Sequence, residues 1–188
     1  MSGYRFDRLK VLIADDSPQM RRILTAILNA FGCTDVVEAE NADEAWQGLR
    51  VNHPDLLILD HLMPGKDGIA FAREVRNAKD SPSPLIPILM LTAHSRLDVV
   101  RLARDAGINE FLAKPVTAEM LFKRLRTIIE APRPFVRTKT YFGPDRRRVR
   151  KEDYQGPERR ADAVKKGNRV LLFRSRPPRS SCRRTSSR

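Results

Sequence analysis

Five polar positions stand where apolar runs of strand length end: Asp15 and Asp16 after Leu9 to Ala14, Asp60 after Asp55 to Leu59, Thr92 after Ile86 to Leu91, and Lys114 after Asn109 to Ala113. A carboxylate can act as a nucleophile toward phosphorus and form an acyl phosphate. That reaction needs positive charge around the equatorial oxygens of the moving group, which a divalent cation, the Lys114 ammonium and the Thr92 hydroxyl would supply. Neighbouring carboxylates repel unless a cation sits among them, and oxygen ligands of this kind suit a hard ion such as Mg2+, held in part by water. Taken singly, each residue has a plainer reading. Asp60 caps a turn, Asp15 and Asp16 cap a helix, Thr92 ends a strand and Lys114 is a solvated charge. Their shared position at strand ends is the argument for a site.

The elements that must position them follow from hydrophobic spacing. Leu9 to Ala14 reads as a buried strand. Ser17 then offers an N-cap with Pro18 at the first helical position, and Met20, Ile23, Leu24, Ile27, Leu28 and Phe31 recur at helical spacing until Gly32. Thr34 to Ala39 predicts a second strand and Ala42 to Val51 a second helix, with Ala45, Trp46 and Leu49 facing inward. Asp55 to Asp60 is the third strand, left by the turn Met63-Pro64-Gly65. Ile69, Phe71, Ala72 and Val75 mark the third helix. After the Ser81-Pro82-Ser83-Pro84 loop come a strand over Ile86 to Leu91 and a helix over Ser95 to Ala106 closed by Gly107. A short strand over Asn109 to Ala113 follows, and then a helix capped by Thr117 and running to Ile129. Five strand-helix units in strict alternation predict an α/β fold, a doubly wound five-stranded parallel sheet covered by helices on both faces. In such a sheet, ligands bind at the C-terminal strand ends, where all five polar positions fall.

Charge divides the chain. Met1 to Ala131 holds 17 Lys and Arg against 18 Asp and Glu, whereas Pro132 to Arg188 holds 19 against 5, so the overall formal charge of +13 belongs to the last part. A neutral domain with a cationic tail points to an anionic partner for the tail. Two cysteines, Cys33 and Cys182, make no disulfide framework. The first residues lack a signal-peptide core and no segment has the length of a bilayer span, so a cytoplasmic protein is expected. His53, His61 and His94 lack metal-ligand spacing and read as surface or loop residues.

Residues 1–131 resemble the receiver domain of two-component response regulators. The resemblance rests on Asp15-Asp16, on Asp60 followed by Met63-Pro64 and Asp67-Gly68, on Thr92-Ala93 and on Lys114-Pro115. It implies the strand order 2-1-3-4-5, known for chemotaxis receivers among the doubly wound folds. It also implies that Asp60 accepts a phosphoryl group from a histidine kinase or phosphotransfer protein. Asp16, Asp60 and the backbone carbonyl of Leu62 would ligate Mg2+, with Asp15 acting largely through water. Thr92 would swing toward the phosphoryl group, Lys114 would pair with it, and Phe111 would be the aromatic that rotates inward. Lys114-Pro115 would be a cis peptide. The switch would then cover the fourth helix, the fifth strand and the fifth helix. Lys66 departs from the pattern, standing where many receivers carry an apolar residue, and the segment from Ser81 to Pro87 is longer than usual. Leu62 and His94 lie at positions that tune acyl-phosphate lifetime in this family.

The basic tail contains too few periodic apolar residues to build an output domain, so the receiver is expected to act by binding. Over residues 132–166 it carries a repeat: Tyr141-Phe142-Gly143-Pro144-Asp145-Arg146-Arg147-Arg148, then Tyr154-Gln155-Gly156-Pro157-Glu158-Arg159-Arg160. The order of aromatic, turn, acid and arginines suits a ligand with flat rings, phosphates and a donor edge. The tail is similar to the arginine-rich extension of chemotaxis-type single-domain receivers that bind cyclic di-GMP and engage the flagellar motor. The resemblance implies contacts from Arg137, Tyr141, Asp145, Arg146, Arg147, Arg148, Asp153, Arg159 and Arg160. The alternatives are a polycation that binds nucleic acid through counterion release, with the receiver gating it, and a phosphate carrier for which the tail is dispensable. Residues 167–188 have low complexity, and disorder is expected there, as for most of the tail.

Overall fold

The computed structural model describes residues 6–93 and 97–146, leaving out the side chain of Leu97. Strands β1 (Lys10–Ala14), β2 (Asp35–Ala39), β3 (Leu56–Asp60), β4 (Ile88–Thr92) and β5 (Glu110–Ala113) alternate with helices α1 (Pro18–Ala30), α2 (Ala42–Asn52), α3 (Gly68–Asn77), α4 (Leu97–Asp105) and α5 (Ala118–Glu130). The sheet is wholly parallel with order β2-β1-β3-β4-β5, as the resemblance implied. The fourth strand starts at Ile88, two residues later than Ile86; Ile86 is instead buried in the core ahead of the strand, its amide donating to Ser83 O.

Strand alternation builds two cores. Leu12, Ala14, Leu57, Leu59, Ile88 and Met90 face Ala45 and Leu49 of α2, Phe71, Ala72 and Val75 of α3, and Ala103 of α4. The intervening Val11, Ile13, Leu56, Ile58, Leu89 and Leu91 face Leu24 and Leu28 of α1 and Leu121, Leu125 and Ile128 of α5. A period of two in strands buried on both faces sends neighbouring residues to opposite cores, which is why these runs are continuously apolar. Trp46 packs edge-on against Phe71, as expected of a core residue. Caps close the helices as the sequence predicts at Ser17 and Thr117, each accepting from the amide three residues on. Cys33 is buried, and its thiol, pushed up to about 11 by burial and the Asp35 charge, donates to Leu9 O. Among the described residues no helix is long and apolar enough to cross a membrane.

The start of the tail carries a structure the sequence reading did not foresee: β6 (Phe135–Arg137) and β7 (Phe142–Pro144) pair antiparallel, with Val136 opposite Gly143. The hairpin is closed by the Thr138 amide on Tyr141 O at 2.8 Å and by the Asp145 amide on Pro134 O at 2.8 Å. A buried cation holds it to the domain. Arg76 is 1% exposed on the inner face of α3, four residues after Ala72. Its guanidinium donates to Gly107 O, Pro84 O and Asn109 Oδ1 at 2.9 to 3.1 Å and lies 5.0 Å beneath the Phe135 ring. Burial pushes the group down to about 9, with the neighbouring Tyr141 opposing, so it remains a cation at neutral pH. A short two-stranded ribbon without a core of its own is thus made stable by receiver side chains. The remaining tail positions, Arg147, Arg148, Asp153, Arg159 and Arg160, the second repeat and the low-complexity end, lie outside the described residues, as does His94.

Replacing Arg76 with Met roughly keeps the volume but takes the donor from the Gly107 and Pro84 carbonyls, while Asn109 Oδ1 keeps the Ile88 amide. It is expected to lower unfolding stability by at least about 2 kcal/mol, read from urea denaturation followed by far-ultraviolet circular dichroism. An unchanged midpoint would show that water replaces the guanidinium without cost.

Candidate functional site

The C-terminal ends of β1, β3, β4 and β5 lie side by side because the strands are parallel and in register: Ala14 pairs with Leu59, Asp60 with Leu91 and Thr92 with Ala113. Each strand therefore releases its polar residue at the same edge. Asp15 is fully buried, Asp60 and Thr92 are nearly so, and Asp16 is exposed. The Lys114 Nζ sits between the two buried acids, 3.0 Å from Asp15 Oδ2 and 2.9 Å from Asp60 Oδ1. Asp15 is held further by the Ser17 amide on its Oδ1 at 2.9 Å, and Arg21 donates to the Asp15 backbone carbonyl at 2.8 Å.

The loop after β3 is shaped to leave Asp60 at the crevice. The Gly68 amide donates to His61 O at 2.8 Å, Asp67 caps α3 by accepting from Ala70 N, and Gly65 takes a positive φ of 79°. A Cβ on Gly68 would run into the Asp60 carbonyl oxygen, so the close return of the chain requires glycine there. Lys66, the departure from the family pattern, pairs with Glu74 at 2.7 Å. Lys114-Pro115 is cis.

Electrostatics set the resting state. Burial raises the Asp60 carboxyl above its ordinary value; the Lys114 hydrogen bond and charge oppose this, the Asp15 charge adds to it, and the His61 amide opposes it. Burial works against the Lys114 charge, yet hydrogen bonds to Asp60 and Asp15 and their charges outweigh it and raise the ammonium. Carboxylate oxygens of Asp15, Asp16 and Asp60 lie within 4.8 Å of one another. An all-oxygen donor set of this compactness, with one member exposed to water, fits a hard divalent ion.

The structure brings together Asp15, Asp16, Asp60, Thr92 and Lys114. Leu62 follows in the loop with its side chain 55% exposed, and Phe111 is half-buried on β5 against the α2–α3–α4 core. The tail residues Arg137, Tyr141, Asp145 and Arg146 are elsewhere, on a hairpin docked near the N-terminal ends of β4 and β5. Two neighbours escape sequence reasoning. His61, expected as an ordinary loop residue, has its Nδ1 3.5 Å from Thr92 Oγ1. Glu110, nearly buried at the start of β5, is gripped by Arg133 at 2.8 Å and Arg124 at 3.3 Å. Histidine directly after Asp60 was a legible signal for the first; nothing local marks the second.

The model of the response regulator receiver domain matches residues 11–126. Chemotaxis protein CheY1 of Helicobacter pylori is 38% identical over 122 residues, covering 64% of this chain and 97% of that protein. Chemotaxis protein CheY of Pseudomonas aeruginosa is 37% identical over 65% of this chain and 97% of its own length. Among solved structures, CheY4 of Vibrio cholerae superimposes with a TM-score of 0.59 at 31% identity, over 64% of this chain and 98% of that one. A putative response regulator from Chloroflexus aurantiacus superimposes with a TM-score of 0.59 at 35% identity, over 64% and 96%. The matched span holds all five strand ends and the paired Asp60 and Lys114, and the chain belongs to the response regulator receiver family, whose members bind Mg2+ at such an acidic site.

Proposed function

We propose that this chain is a phosphorylation-controlled switch of a two-component relay, acting in the cytoplasm, in which Asp60 receives the phosphoryl group and a binding surface delivers the output. The observation that carries the reading is the buried Lys114 ammonium bridging Asp15 and Asp60. Such a bridge keeps an acid cluster compact and places a cation beside the oxygen that becomes phosphorylated. An Asp60 carboxylate oxygen attacks phosphorus, the P–N bond of a donor phosphohistidine breaks, and the imidazole, protonated on its other ring nitrogen in the donor, leaves as a neutral ring. Asp16, Asp60 and the Leu62 carbonyl are the candidate ligands for Mg2+, with Asp15 working through water; the ion supplies charge neutralisation on the phosphoryl oxygens. Lys114 then exchanges its contact with Asp60 Oδ1 for a phosphoryl oxygen, the Thr92 hydroxyl turns toward another, and Phe111 moves inward behind it. The partners are a histidine kinase or phosphotransfer protein upstream and, in keeping with the chemotaxis relatives, motor or chemotaxis proteins downstream.

Incubation with a small-molecule phosphodonor such as phosphoramidate and Mg2+ is expected to add one hydroxylamine-labile phosphoryl group by intact-mass spectrometry, lost in Asp60→Asn. In Lys114→Met the phosphoryl group should still transfer, but the coupled change at Thr92 and Phe111, followed by NMR, should be lost. A phosphorylated Asp60→Asn protein would overturn the assignment.

We read the tail as a cyclic di-GMP site. What supports this is the arrangement of the first repeat as far as Arg146, with Arg137 before it: Arg146 lies 3.9 Å over the Tyr141 ring and Arg137 4.1 Å over the Phe142 ring. Guanidinium groups flattened on aromatic rings offer faces on which a purine stacks and N–H edges for its O6 and N7. The expected result is saturable calorimetric binding of cyclic di-GMP to the full chain, weakened at least about tenfold in Arg146→Ala, a cost in the range of a stacked or bidentate arginine contact. Equal binding of a random oligonucleotide, falling steeply with salt, would make the tail a polycation instead.

A further inference from the structure

The hairpin is positioned on β5, the strand that delivers Lys114, and at the end of α4, the helix that follows Thr92 in the chain. β5 has four residues, a span of roughly 13 Å. At its start, Glu110 is held by Arg133, which leads into the hairpin, and by Arg124 of α5. Just past its end, Lys114 holds Asp15 and Asp60. Phe111 lies between these two ion pairs. α4 is held in the same way: it is the next element after Thr92 in the chain, and its last residue, Asp105, pairs with Arg146 at 3.2 Å. At the adjoining Gly107, φ is +86°, and the hairpin backbone comes so close that a Cβ there would lie 3.1 Å from Phe142 O. A Cβ on Gly143 would lie 2.8 Å from the Gly107 Cα. The fit is backbone against backbone, with Arg76 closing it from beneath through Gly107 O and the Phe135 ring.

Contacts of this kind resist gradual sliding, because close-packed surfaces and short charged bonds have few intermediate arrangements. A movement of β5 that brings Phe111 toward a phosphoryl group, or of α4 as the chain beyond Thr92 responds, must shift Glu110 or Gly107 against the hairpin. We propose that the hairpin Phe135–Pro144 is a regulatory strap whose docking on Gly107, Arg76 and Glu110 is energetically coupled to occupancy of the Asp60 site. The inference rests on the reading of Asp60 as the phosphoryl acceptor. Its consequence is reciprocal: whatever loosens or tightens the hairpin from the tail side changes the affinity of the Asp60 site by the same factor that phosphorylation changes hairpin docking. A receiver and a basic tail thereby form one two-input device without an output domain between them.

The test uses the full chain with Mg2+ and beryllofluoride, which occupies an aspartate as a phosphoryl group does, and reads backbone hydrogen exchange by mass spectrometry. Two variants loosen the strap without touching the acid cluster: Gly143→Val, which drives a side chain into Gly107, and Arg133→Gln, which removes one grip on Glu110 and leaves the core intact. Beryllofluoride is expected to change exchange over residues 134–146 of the unmodified chain as well as over 58–66 and 112–116. Both variants should shift the beryllofluoride concentration at half protection in the same direction, by about fivefold or more. If the site segments respond while the hairpin does not and neither variant moves the half-point, the hairpin is a passive brace and the coupling is overturned. If no segment of the unmodified chain responds, the acceptor reading itself fails and carries the coupling with it. Should Gly143→Val fail to fold, Arg133→Gln and the unmodified chain still decide between these outcomes.

Discussion

One ammonium group organises the receiver. Lys114 reaches from the end of β5 across the sheet edge to two buried carboxylates on β1 and β3. Burying Asp15 and Asp60 so close together would be prohibitive without it, since each charge must give up water and each repels the other. The ion triad therefore requires that three strands end level with one another, and the parallel register provides this. It also leaves the site poised, because a group that offers Lys114 better-placed oxygens can draw it from Asp60 without a new cation having to enter.

The two cores serve this geometry. Strands buried on both faces cannot shift by one residue without sending every side chain into the wrong core, so the register that aligns the strand ends is held along their whole length. Loop chemistry finishes the alignment: Gly68 permits the chain to fold back over Asp60, and the Ser17 amide orients Asp15 while Ser17 caps α1. Stability and function draw on the same contacts at the crevice edge.

At the opposite end of the sheet a second cation, Arg76, does for the hairpin what Lys114 does for the acids. It satisfies backbone carbonyls at the end of α4 and in the loop before β4, together with the Asn109 amide oxygen that also accepts from Ile88 N. The hairpin aromatic Phe135 covers it. The basic character of the tail is thus not uniform in its physical meaning. Arg133 and Arg146 pair with Glu110 and Asp105 of the receiver, while Arg146 and Arg137 also lie over the Tyr141 and Phe142 rings of the hairpin itself.

Much of this architecture is legible in the chain itself. Continuous apolar runs ending on polar residues determined the five strands, their alternation with helices and the edge at which Asp15, Asp16, Asp60, Thr92 and Lys114 would meet, because local periodicity and strand termination depend only on neighbours in sequence. Composition marked the tail as largely disordered and left the hairpin over residues 135–144 unforeseen. Its hairpin has no apolar face large enough to declare itself; its stability comes from Arg76, Gly107 and Glu110, residues 25 or more positions earlier that look like a solvated charge, a helix stop and a strand-edge acid. Only the tertiary structure decided these pairings, as it decided that His61 faces Thr92. A charged side chain is assigned by type to solvent until the fold shows which distant acceptors surround it.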